Sequence, residues 1–179
     1  MGQQQSLRSF NLQTLAEKGV ALTECTSLQK LERLAQESVG LSTDLTVNWE
    51  LIAELRTGAN GQIDTWMHLQ AATLLPLTCQ RCLSAVQTPL RVDQWYRFVA
   101  TEEVAMSEDD GSEEDLLVMT PQFDLLAVLE DELLMAVPLV PMHTECPTVP
   151  AFSAGVIDMP DGASEKPHPF AALARLRKK

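Results

Sequence analysis

The sequence contains no long apolar run and few basic residues, and these two features exclude several classes of protein. No apolar stretch reaches the roughly 18 to 20 residues that span a bilayer, and no charged segment followed by an apolar one opens the chain. With 13 Lys and Arg against 25 Asp and Glu, the formal net charge is -12 at pH 7. Because phosphate binding requires clustered cations, this balance argues against a surface that attracts nucleic acid everywhere. We expect a soluble, cytoplasmic protein with no membrane partner.

The short motifs that identify common catalytic sites are also missing. The chain has no GxSxG nucleophile motif, no phosphate-binding glycine loop and no dinucleotide fingerprint. Glu130, Asp131 and Glu132 are three consecutive carboxylates, but successive helix positions point about 100° apart and do not converge on one metal ion. The sequence therefore predicts a solvated helix face for this triplet, no catalytic residues and no small-molecule substrate.

Hydrophobic periodicity predicts an α+β domain. Alternation with a period of two predicts strands over 45–56, 67–77 and 90–98, with a short return strand over 116–119. The first two strands are expected to form an antiparallel hairpin through the glycines between them. Apolar residues at helical spacing predict amphipathic helices over 27–37 and 124–136, the second capped near Asp124. We expect residues 1–146 to form one β-rich domain with an antiparallel sheet, open or barrel-like, and a few covering helices.

The charges are distributed unevenly along the chain. Sixteen acidic residues and no Lys or Arg fall between Glu102 and Glu165. Eight of the fifteen residues in 101–115 are acidic, and this composition predicts a mobile acidic loop. Residues 147–179 are rich in proline and small residues, which predicts an extended tail that ends in a short basic helix.

The basic end of this tail offers candidate contacts for RNA or for a partner protein. Its basic side chains either balance the dipole of the short helix or bind phosphate. The candidate contact residues are Lys166, Phe170, Arg175, Arg177, Lys178 and Lys179.

Two residue pairs form a candidate metal site. Cys79-Gln80-Arg81-Cys82 and His143-Thr144-Glu145-Cys146 both have the two-residue spacing that lets a tight turn direct two ligands at one ion. A tetrahedral Cys3His site for Zn2+ would be structural, because four protein ligands leave no open position. Reduced thiols without a metal are the ordinary alternative. A redox pair is a third, although a reactive CxxC normally lies at a helix N-terminus and here strands flank it.

Two other features have ordinary explanations in the sequence. Cys25 stands apart from the other three cysteines and is expected to be a buried or half-buried thiol. The run Trp95-Tyr96-Arg97-Phe98 could form an aromatic platform for nucleic acid, but its alternation with Val92 predicts that two of these side chains lie in the core.

Four motifs in order give the chain a family resemblance over roughly 74–179. They are Cys79-Gln80-Arg81-Cys82, the segment from Asp124 to Glu132, Val137-Pro138-Leu139-Val140-Pro141-Met142-His143, and Lys166-Pro167-His168-Pro169-Phe170 with its basic end. In these motifs the chain resembles the YceD family of large ribosomal RNA subunit accumulation proteins. Other members have a cysteine pair where His143 and Cys146 stand.

The resemblance implies a non-enzymatic role in making, processing or preserving 23S rRNA and in assembling the large ribosomal subunit. The implied partner is a large-subunit precursor, contacted through its rRNA or through ribosomal or assembly proteins. Two other functions stay open at this point: a redox or metal-dependent enzyme that processes RNA, and an adaptor that binds only protein.

Overall fold

The structure of the protein is a computed structural model that describes residues 7, 11–40, 42–58 and 61–148. These residues belong to the first of the two units into which the chain divides, Met1–Val149 and Pro150–Lys179. The predicted tail from residue 149 onward, with its six candidate contact residues, lies outside the described residues. Within the described part, no helix is both long enough and apolar enough to cross a membrane.

A five-stranded mixed sheet organises the described residues. Its strands are β1 Ala21–Ser27, β2 Thr46–Thr57, β3 Ile63–Thr78, β4 Ala85–Val99 and β5 Asp115–Val118. The strands lie in sequence order, with antiparallel pairing from β1 to β4 and parallel pairing between β4 and β5. The α+β class and the hairpin of β2 and β3 are therefore confirmed. The sheet is open rather than barrel-like, because β1 and β5 stand at its two edges.

One face of this sheet carries the hydrophobic core. The alternating residues Val47, Trp49, Leu51 and Ala53 of β2 are buried, as their period of two requires. Three helices supply buried residues to the same cluster: α1 Leu12–Lys18, α2 Glu32–Glu37 and α4 Leu125–Met135. The two tryptophans of β3 and β4, Trp66 and Trp95, are outside this cluster and lie on the opposite face.

The predicted helix over 27–37 is wrong in its first half. Ser27 is the last residue of β1, and Leu28–Lys30 form a 3-10 turn. Leu31, at φ -103° and ψ 79°, interrupts the helical path, so α2 begins only at Glu32. The helical spacing of Leu28, Leu31 and Leu34 still predicts the buried side correctly, since all three are in the core.

The acidic segment 101–115 also differs from its prediction as an unpacked loop. It contains helix α3 Glu102–Glu108 and a 3-10 turn Asp109–Gly111. Thr101 caps α3 by accepting a hydrogen bond from the Val104 amide, and none of the residues of α3 is buried. Arg97 of β4 donates to Glu108 at 2.8 Å and to Glu114 at 2.7 Å. Local capping and the Arg97 ion pairs therefore stabilise a helix that composition alone does not predict.

Helix α4 begins where the sequence predicts, but its acidic triplet is not a solvated face. The Asp124 side chain accepts from the Ala127 amide at 3.0 Å, which confirms the predicted cap. Glu130 is only 9% exposed. Its carboxylate accepts from the backbone amides of Arg33 at 2.7 Å and Leu34 at 3.2 Å. Because Leu31 has no capping side chain, Glu130 caps helix α2 from a different helix.

Candidate metal centre

The Cys79 to Cys82 pair lies in the turn between β3 and β4, as the sequence predicts. The Cys79 amide donates to the Ser84 carbonyl at 2.9 Å, and the Leu83 amide donates to the Cys79 carbonyl at 2.9 Å. Leu83 has φ 61°, in the left-handed region that favours glycine. The turn is thus tight enough to direct both cysteine side chains to one side.

The second pair comes from the loop that follows α4. Pro138 and Pro141 lie in this loop, where proline cannot continue a helix. The Gln80 amide donates to the Pro141 carbonyl at 2.9 Å, which joins the loop to the β3–β4 turn. This backbone contact brings His143 and Cys146 next to the first pair.

The structure brings all four predicted ligands together. One ligand atom from each of Cys79, Cys82, His143 and Cys146 lies within 4.8 Å of each of the others. The Cys79 and Cys146 sulfurs are 3.9 Å apart, and Cys82 Sγ is 3.4 Å from His143 Nδ1. Cys79 is fully buried and the other three are half-buried. The four side chains form a group that could hold a metal ion.

Groups around this cluster orient the ligands. His143 Nε2 is 3.1 Å from the Ala85 carbonyl oxygen, which can only accept, so Nε2 carries a hydrogen. In the neutral ring, Nδ1 is then the atom with a free lone pair, and it faces Cys82. Arg81 donates from Nε to Cys146 Sγ at 2.9 Å, and from the terminal nitrogen Nη2 to the carbonyls of His143 at 2.6 Å and Thr144 at 3.3 Å. Such outer contacts are typical of metal sites.

The local electrostatics favour thiolate at two of the cysteines, Cys79 and Cys82, and hydrogen bonds with Ser84 lower the pKa of Cys82. Burial by itself raises the pKa of Cys79, but hydrogen bonds from the amides of Cys82, His143 and Arg81 outweigh it and lower that pKa to about 5. The hydrogen bond with Cys79 also raises the pKa of His143. Burial raises the pKa of Cys146 despite the opposing hydrogen bond from Arg81. The lowered pKa of Cys79 favours the thiolate, the form in which a cysteine binds metal.

The surroundings of the cluster disfavour the redox alternative. Cys79 and Cys82 lie between two strands rather than at the N-terminus of a helix, so no helix dipole acts on either thiol.

Cys25 is 54 positions from Cys79 in sequence order and, contrary to prediction, is exposed on edge strand β1. Thr26 is buried, so alternation along β1 places Cys25 on the face of the sheet opposite the core, beside the exposed Asn48.

An apolar loop borders the cluster. Leu139 is 99% exposed, Val140 55% and Met142 53%. Between this loop and the start of β4 lies a cavity of about 720 Å³. Contiguous exposed apolar side chains commonly mark an interaction site.

Sequence reasoning missed the outer contacts of the cluster. Arg81 lies inside the CxxC motif, and a cation beside two thiols could have indicated a residue that contacts the metal ligands. The carbonyl of Ala85 leaves no signature, because any residue supplies one. The predicted tail contacts lie beyond the described residues.

Comparison with known proteins matches most of the chain. A model of the family described as large ribosomal RNA subunit accumulation protein YceD matches residues 67–177, a range that includes all four motifs of the resemblance. A protein of the same name from Haemophilus influenzae is 30% identical over 153 residues, which cover 84% of this chain and 83% of that protein. No solved structure is significantly similar to the chain.

Proposed function

The chain belongs to the YceD family of large ribosomal RNA subunit accumulation proteins, and we propose from this membership that it promotes the accumulation of 23S rRNA and the assembly of the large ribosomal subunit. The family match is the observation that carries the proposal. The protein acts in the cytoplasm, on a large-subunit precursor made of rRNA and of ribosomal or assembly proteins.

The role is non-enzymatic. Glu130 and Glu132, the carboxylates that a metal-dependent RNA-processing enzyme could use, are engaged in structural contacts, which supports this proposal. Glu130 caps α2, and Glu132 accepts from the Tyr96 hydroxyl at 2.5 Å. A metal held by four protein ligands would also have no open position for substrate.

The metal is Zn2+, and its role is structural. Bond lengths of about 2.3 Å to sulfur and 2.0 to 2.1 Å to nitrogen place two tetrahedral thiolates about 3.8 Å apart and a thiolate and an imidazole about 3.6 Å apart. Two of the six separations, 3.9 Å for Cys79 and Cys146 and 3.4 Å for Cys82 and His143, are close to these values, and all four ligand atoms lie within 4.8 Å of one another. His143 would bind through Nδ1. The ion would join the β3–β4 turn to the loop after α4.

Arg81 balances the charge of this site. A divalent ion with three thiolates and a neutral imidazole leaves one net negative charge, and the Arg81 guanidinium lies against Cys146 at 2.9 Å. The same guanidinium fixes the ligand loop through two carbonyl groups. Arg81 therefore positions the ligands without binding the metal.

Contact with the precursor is made partly through the basic tail. Lys166, Phe170, Arg175, Arg177, Lys178 and Lys179 supply five cations and one aromatic ring within fourteen residues that contain no acid. Clustered cations bind phosphate in a salt-dependent way. The apolar loop beside the metal centre offers a second contact for a protein component.

Sedimentation of the tagged protein through a sucrose gradient tests this proposal. We expect it to migrate with large-subunit precursors and to move to the top of the gradient at high salt or after ribonuclease treatment. Replacing Arg175, Arg177, Lys178 and Lys179 by Glu should abolish this migration. Replacing the exposed body residues Lys18, Lys30 and Arg91 by Glu is the control and should preserve it. A protein that stayed at the top under every condition would contradict the proposal, and a ribonuclease-resistant association would indicate an adaptor that binds only protein.

A further inference from the structure

The face of the sheet opposite the core carries an aromatic and cationic cluster that the proposed function does not use. Trp66 and Trp95 come from neighbouring strands, with ring centroids 6.4 Å apart and an interplanar angle of 67°. The Arg56 guanidinium lies 4.5 Å from the Trp66 centroid and 4.1 Å from the Trp95 centroid. His68 stacks on Trp95 with centroids 4.2 Å apart. This face therefore already binds a guanidinium over aromatic rings.

A cavity next to these rings carries negative charge. Its volume is about 390 Å³, and its lining includes both tryptophans, Arg56 and the carboxylates of Asp93, Glu113 and Glu114. Glu114 is paired with Arg97 at 2.7 Å, so Asp93 and Glu113 are the carboxylates that leave the lining acidic against the Arg56 guanidinium. A further cation would thus meet opposite charges beside a π surface.

The charge extends beyond the cavity along the neighbouring helix. Eight acidic residues lie in 101–115, and among the described cations Arg97 is the one that forms ion pairs with this segment, through Glu108 and Glu114. Glu102, Glu103, Asp109 and Asp110 are exposed. The sequence supplies no Lys or Arg from Glu102 to Glu165 that could neutralise them.

We propose that this acid and aromatic surface, formed by Arg56, Trp66, Trp95, Asp93, Glu113 and Glu114, docks a basic protein segment, one arginine of which enters the cavity. A planar guanidinium binds a carboxylate through two parallel hydrogen bonds, which an ammonium cannot do, so arginine suits the carboxylates of this cavity better than lysine. The inference rests on the proposed function in one respect: the partner is taken to be a protein of the large-subunit precursor.

RNA fits this surface poorly. Its phosphates would meet the carboxylates of the cavity and the acidic residues of α3 at close range. Charge complementarity accordingly selects a cationic protein segment rather than nucleic acid.

The three tryptophans make a direct test available. In a two-dimensional 15N NMR titration of the full chain, the indole N–H signals of Trp66 and Trp95 should shift when a short peptide of alternating arginine and glycine is added. The Trp49 indole is buried and donates to Thr26 Oγ1 at 2.9 Å, so its signal should stay fixed and also report an intact fold. The same peptide with lysine in place of arginine should bind more weakly.

Paired variants identify the charges responsible. The double variant Asp93→Asn with Glu113→Gln should weaken binding of the arginine peptide about tenfold, since two of the three cavity charges are lost. The double variant Glu17→Gln with Glu37→Gln makes the same change in net charge at exposed positions outside the cavity and should change the affinity less than about twofold.

Three outcomes would overturn the proposal. The first is that both double variants weaken peptide binding equally, and the second is that the two indole signals shift with single-stranded oligouridylate but not with the peptide. The third is that charge reversal at Arg175, Arg177, Lys178 and Lys179 shifts the two indole signals without any peptide. Because the titration contains no ribosomal material, its failure leaves the rRNA role intact. A failure of the rRNA role would equally leave a positive titration standing.

Discussion

Replacing Glu130 by alanine is expected to destabilise the protein although the residue belongs to no binding site. The Glu130 carboxylate accepts from the Arg33 amide at 2.7 Å, the Leu34 amide at 3.2 Å and Arg33 Nε at 3.0 Å. The Leu34 bond is buried, and Leu31 offers α2 no capping side chain. The substitution would therefore leave two amides at the start of α2 without an acceptor.

The magnitude follows from these contacts. Loss of a helix N-cap costs about 0.5 to 2 kcal/mol, and a buried donor left unsatisfied costs about 1 to 3 kcal/mol. The ion pair with Arg33 adds at most about 1 kcal/mol, since the Arg33 side chain is 52% exposed. Because these terms overlap, we expect a loss of about 2 to 4 kcal/mol in the free energy of unfolding. At about 2 to 4 °C per kcal/mol, Tm should fall by roughly 4 to 16 °C.

Urea denaturation followed by circular dichroism measures this free energy. Asp131→Ala is the matched control, because Asp131 is the next residue in the helix and binds the same arginine at 2.6 Å but is 55% exposed. We expect the control to lose less than about 1 kcal/mol. Equal losses for the two variants, or a Glu130→Ala protein within about 0.5 kcal/mol of the wild type, would refute the capping role.

Three further predictions concern the metal centre. Purified protein should contain one zinc ion per chain; Cys146→Ser should lose it on dialysis, whereas Cys25→Ser should retain it, as measured by atomic absorption. Arg81→Leu should weaken zinc affinity about 10 to 100-fold in a chelator competition, and an unchanged affinity would exclude its positioning role. Leu83→Gly should raise the free energy of unfolding by about 1 kcal/mol. The backbone strain at φ 61° is relieved, and little burial is lost because the Leu83 side chain is 75% exposed. A destabilised variant would contradict this reasoning.

The sequence predicts the parts of the fold that follow from local periodicity. Alternation in β2 and β3 and the cap at Asp124 are all found as expected. Helix α1 was missed, although Asn11 as an N-cap and Gly19 at φ 57° mark its two ends. Strand β1 was missed because an edge strand with one exposed face has little hydrophobic alternation, and its existence depends on pairing with β2.

The candidate metal centre could be predicted as a set of residues but not as a geometry. The spacing of Cys79 with Cys82 and of His143 with Cys146 identifies the four side chains, and their convergence depends on long-range contacts such as that between Gln80 and Pro141. Glu130 shows the opposite case. Its place in an acidic triplet predicts a solvated side chain. Glu130 is buried instead, because it caps helix α2, which lies almost one hundred residues away in the sequence.

The ratio of 23S to 16S rRNA in cells that lack the protein tests the central claim most directly. The account predicts a ratio below that of the wild type, restored by the full chain and equally by its Glu132→Gln variant, since Glu132 has a structural contact with Tyr96 rather than a catalytic role. An unchanged ratio in the deletion strain would contradict a role in large-subunit rRNA accumulation, and failure of a stably folded Glu132→Gln variant to restore it would contradict the non-enzymatic mechanism.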